Sequence, residues 1–146
     1  MSRVLGLFGW LGPTAPARDL PFVDAAAAVT ALFLAYGARA AASSHYPFEW
    51  AAIAPFVRIA LPVSLAAVLL CTAALGLYGD RAVAAGWRTH VAAAAYAVAV
   101  AAAIGTYWGG LSPPTLPLLL TAAACLGVLQ YGGRRLYWQV VQRRET

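Results

Sequence analysis

The stretch that decides the fold is WRTHVAAAAYAVAVAAAIGTYW, residues 87–108. Arg88 and His90 stand in its first turn, and from Val91 to Tyr107 no residue carries a charge. A helix of about 20 residues crosses the ~30 Å hydrocarbon core of a bilayer, so this run is long enough to do so. Trp87 and Trp108 bound it at both ends, where tryptophan settles at headgroup level. Polar and apolar residues do not alternate along it, which excludes a barrel strand, and alanine, its main constituent, is the strongest helix former.

Three further runs of the same kind flank it, so spans are expected at about residues 24–42, 59–78, 87–108 and 111–131. The whole chain, 1–146, then reads as a single all-α integral membrane domain of four transmembrane helices. Composition agrees. The sequence is 62% hydrophobic and 10% charged with mean hydropathy +0.72, whereas soluble domains carry about 25% charged residues. An ordinary soluble globule is thereby excluded.

Orientation follows from the basic residues, all ten of which are arginine. An even number of spans puts both termini on one side. That side collects Arg3, Arg18, Arg81, Arg88, Arg134, Arg135, Arg143 and Arg144, leaving Arg39 and Arg58 for the other. Such a bias predicts a multi-pass protein with both termini on the cytoplasmic, or interior, side.

The two ends read as interfacial segments. Residues 1–13, MSRVLGLFGWLGP, combine one arginine with an apolar run and suit a short helix lying in the interface. Residues 134–146, RRLYWQVVQRRET, follow a bend expected at Gly132-Gly133 and form a basic amphipathic tail. In it Arg134, Arg135, Arg143 and Arg144 are expected to contact anionic lipid or another anionic partner.

Packing carries the strongest pattern. Ala93, Ala97, Ala101 and Gly105 recur every four residues in the third span, a seam that lets helix backbones approach closely in lipid. A weaker seam of Ala60, Ser64, Thr72 and Gly76 runs along the second. The third helix is therefore expected to be central.

Residues able to carry chemistry are few. His45 and His90 fall at opposite membrane faces, about 30 Å apart, so within one copy they cannot share a haem or a metal ion. Cys71 and Cys125 form no CxxC pair and read as small packing residues. No catalytic, cofactor-binding or metal-binding residue is expected, and no enzyme. Asp24, the one carboxylate abutting an apolar run, reads as the N-cap of the first span, accepting from its first-turn amides. The alternative makes Asp24 an ion-coupling carboxylate, since acids inside membranes mark ion pathways.

These features point to a non-catalytic structural or assembly subunit of a larger membrane complex, with lipid and other membrane subunits, or copies of itself, as partners. One alternative is a small oligomeric transporter or channel using Asp24. Another is a structural protein of a membrane-containing virus, the only reading in which nucleic acid is a partner.

Overall fold

The computed structural model describes residues 19–42, 50–78, 85–110 and 114–144. These ranges hold four helices: α1 Leu20–Ala42, α2 Trp50–Ala74, α3 Trp87–Tyr107 and α4 Leu116–Arg144. All four are long and apolar enough to cross a membrane. The interfacial segment at 1–13, the loop with His45, and the side chains of Arg39, Arg143 and Arg144 lie outside the described residues.

The helix boundaries have local causes. In α1 the Asp19 carbonyl accepts from the amides of Phe22 and Val23 at 3.0 and 3.2 Å, so the helix starts a full turn before Asp24. Pro21 fits there because a first-turn residue has no carbonyl to donate to. At the end of α2 the Leu77 amide donates to the Thr72 carbonyl at 3.1 Å and the Gly76 amide to the Ala73 carbonyl at 2.9 Å. With Gly76 at φ 71, this is a Schellman turn, which requires the left-handed region that glycine enters freely. Gly76 thus ends the helix and is not a member of a packing seam.

The bundle is a ring of antiparallel neighbours: α1 packs on α4, α4 on α3, α3 on α2, and α2 closes on α1 over a smaller surface. The third helix is not central, because each helix packs against two others and faces the last one across the axis. That axis is filled by Ala27, Ala28 and Ala31 of α1, Ala67 and Val68 of α2, Ala94 and Ala97 of α3, and Leu126 of α4. Alanines come from α1, α2 and α3 alike and meet Leu126 of α4, so the small residues of α3 do not single it out.

Ala93, Ala97 and Gly105 of the α3 seam are buried, and Ala101 is half-buried against the same cluster. Large apolar side chains point outward instead, among them Phe22, Leu70, Leu120 and Val128. Lipid offers apolar packing no worse than a protein core does, so large residues can face it while small ones bring backbones together. This exterior places the chain in contact with lipid as a multi-pass protein.

The tail expected as a separate interfacial segment is part of α4, which runs through Gly132-Gly133 unbroken to Arg144. Two glycines weaken a helix without forbidding it. Gly133 also has a packing reason: a Cβ there would sit 3.2 Å from Val23 Cγ1, so its absence lets α1 and α4 close up.

Candidate functional site

At the end of the bundle that holds Leu20, Ala74, Trp87 and the last turns of α4, the alanine axis gives way to polar side chains from all four helices. Asp24 of α1 is fully buried, and Arg134 of α4 is 2% exposed. Arg134 Nε donates to Asp24 Oδ1 at 2.9 Å and its Nη2 donates to Oδ2. This side-on pairing of guanidinium and carboxylate matches two N–H donors to two oxygens.

The third guanidinium nitrogen is also used. Nη1 donates to the Leu77 carbonyl at 2.8 Å, and that carbonyl is aimed at it by the Schellman turn at Gly76. The guanidinium carbon stands 5.2 Å from the centre of the Tyr78 ring, a further favourable contact for a buried cation. Burial, and after it the Asp24 carboxylate, push the Tyr78 phenol well above its ordinary range, so it keeps its proton.

Both sides of the pair are sealed. Above it lies the alanine axis; below it Leu20 and Tyr78 form a second cluster with Leu69, Ala73, Tyr137 and Trp138. Tyr137 donates to Asp19 Oδ2 at 3.0 Å, which ties α4 to the start of α1 at the rim. An ion pair screened this well from water is held by its own geometry: each charge lost its hydration on burial and has the other in its place.

One helical turn along α4 from Arg134, Gln130 is fully buried and its Nε2 donates to Thr72 Oγ1 across the axis at 3.0 Å. Thr72 in turn donates to the Val68 carbonyl at 2.6 Å. On α3, His90 is 2% exposed, its Nδ1 lies 3.0 Å from the Gly86 carbonyl, and its ring meets the Tyr131 ring edge-on at 5.5 Å.

The structure thus moves two residues from their expected places. Asp24 is not an N-cap: it lies inside α1, and its oxygens take guanidinium donors from α4. Arg134 does not face lipid headgroups, because all three of its nitrogens are engaged inside the bundle. Of the four tail arginines, Arg135 is exposed, its guanidinium 5.3 Å from the Tyr131 ring centre. Gln130 escaped attention in the sequence, although a glutamine inside the run 111–131 is a signal in itself.

Cys71 and Cys125 are free and pack beside the alanine cluster. Among the described residues no group of three His, Cys, Asp or Glu side chains is placed to hold a metal ion. Arg58 is exposed on α2. Comparison with protein-family models, with curated proteins and with solved structures gave no match.

Proposed function

We propose that the chain is a non-catalytic structural or assembly subunit of a membrane complex. The observation that supports this most is the use made of Asp24. A coupling carboxylate has to release one partner and take another, which requires an oxygen open to an ion or a proton. Both Asp24 oxygens are engaged by Arg134, and the arginine is itself fixed to the α2 turn. Beside it the axis is closed by alanine side chains. Such a bundle holds one shape, and its apolar outer surface is free to meet lipid and neighbouring subunits.

The test is flux through the purified chain in liposomes, under a pH gradient and under gradients of sodium and potassium. A scaffold gives no flux above empty vesicles. Gradient-driven flux through the parent chain, lost in Asp24→Asn, would overturn the reading in favour of the transporter.

The arginine distribution further supports placing both termini on the cytoplasmic or interior side, with 43–58 opposite. A cysteine introduced at Ser44 is expected to react with an impermeant thiol reagent applied from outside, and one at Thr146 is not. Reversed labelling would reverse the orientation.

A further inference from the structure

The polar end of the bundle contains two buried groups that lack the same thing. His90 Nδ1 lies against the Gly86 carbonyl, and a carbonyl can only accept, so Nδ1 carries the ring proton. In the neutral imidazole this leaves Nε2 as a bare lone pair, buried and with no hydrogen-bond partner among the described residues.

Gln130 reaches the same condition by a different route. Thr72 has one hydroxyl proton, and it goes to the Val68 carbonyl at 2.6 Å. Toward Gln130 it can therefore only accept, which fixes the amide with Nε2 on Thr72 and turns Oε1 away from it. Gln130 Oε1 is buried with no partner among the described residues. Two acceptors cannot satisfy each other, and the donors of the two side chains beside them are engaged elsewhere: Arg134 on Asp24 and Leu77, Thr72 on Val68.

We propose that this end of the bundle is an internal water-binding site, with His90 Nε2 and Gln130 Oε1 as its acceptors. The ligand must be small, must donate hydrogen bonds, and must enter a region that already contains a matched charge pair. Water meets all three conditions, and buried waters recur where polar groups lack protein partners. A metal cation could use the same lone pairs, but Asp24, the buried carboxylate at this end, is held by Arg134, whose guanidinium would repel it. The two residues start at a similar height on α3 and α4, since His90 meets the ring of Tyr131, the residue after Gln130. The bundle is then dry along its alanine axis and around the ion pair, and holds enclosed water only beside His90 and Gln130.

The test is solid-state NMR of the full chain in lipid bilayers, with magnetisation transferred from water to labelled side chains. The His90 ring and the Gln130 side-chain carbonyl carbon are expected to receive water magnetisation as early as exposed Arg135 does, while Ala94 and Ala97 do not. The His90 nitrogen shifts are expected to show a protonated Nδ1 and an Nε2 accepting a hydrogen bond. Gln130→Met keeps the length of the side chain, removes the acceptor, and is expected to lose the transfer at position 130. Build-up at His90 and Gln130 as slow as at Ala97 in the parent chain would overturn the proposal. So would a transfer at position 130 that survives Gln130→Met.

Discussion

Asp24→Ala is expected to destabilise the folded bundle by about 3–5 kcal/mol, the usual consequence of removing one partner from a buried ion pair. The loss comes less from the missing attraction than from Arg134, left charged between the alanine axis and the Tyr78 cluster with nothing to replace its hydration. Arg134→Met should cost a similar amount by stranding Asp24. Asp24→Asn separates the pair from a helix cap: a cap tolerates asparagine almost unchanged, whereas a guanidinium facing a neutral amide is still unpaired. The double variant Asp24→Leu with Arg134→Met removes both charges and is expected to lie near the parent or above it, since apolar replacement of a whole buried pair is often neutral or stabilising. Equilibrium unfolding of the four variants beside the parent in mixed micelles checks this. A loss under about 1 kcal/mol in Asp24→Asn would mean that the pair is not what holds α1 to α4.

The second large effect is expected on the axis. Ala97 is 2% exposed in the cluster where α1, α2, α3 and α4 converge. Ala97→Leu adds three carbons where neighbouring helices already touch, and overpacking of this kind costs about 1–3 kcal/mol. Ala95→Leu, on the exposed face of α3, should stay within about 0.5 kcal/mol. The same unfolding assay compares them. Equal losses at the two positions would show that the alanine axis is not tightly packed.

The sequence made the four helices legible because length and apolarity are local properties. Residues 87–108 became α3, Trp87–Tyr107, within one residue, since tryptophans and Gly86 mark its ends. The start of α1 was misread because Asp24 before four alanines imitates a cap; Asp19 with Pro21 two residues on was the better signal. The end of α2 was misread because Gly76 fitted a four-residue seam, whereas its positive φ shows that it closes a helix. The ion pair was out of reach for another reason. Sequence gives the depth of a residue along its helix but not the direction it faces, nor which helices are neighbours. Asp24 and Arg134 belong to the same end, and only the closing of α1 on α4 brings them together. The Gln130 and Thr72 hydrogen bond crosses the axis and depends on the same arrangement.

Asp24 and Arg134 are 110 residues apart, and that separation has a consequence for biosynthesis. A ribosome releases the first helix into the membrane long before it reaches the arginine that neutralises it. Until then α1 carries an unmatched carboxylate one turn inside its end, close enough to the interface to stay hydrated if the helix sits shallow. Arrival of α4 removes the reason for that shallow position, because the carboxylate can exchange its water for a guanidinium. The last helix to be made therefore decides the final depth of the first, and a nascent chain halted before Arg134 should hold α1 nearer the membrane surface than the finished protein does.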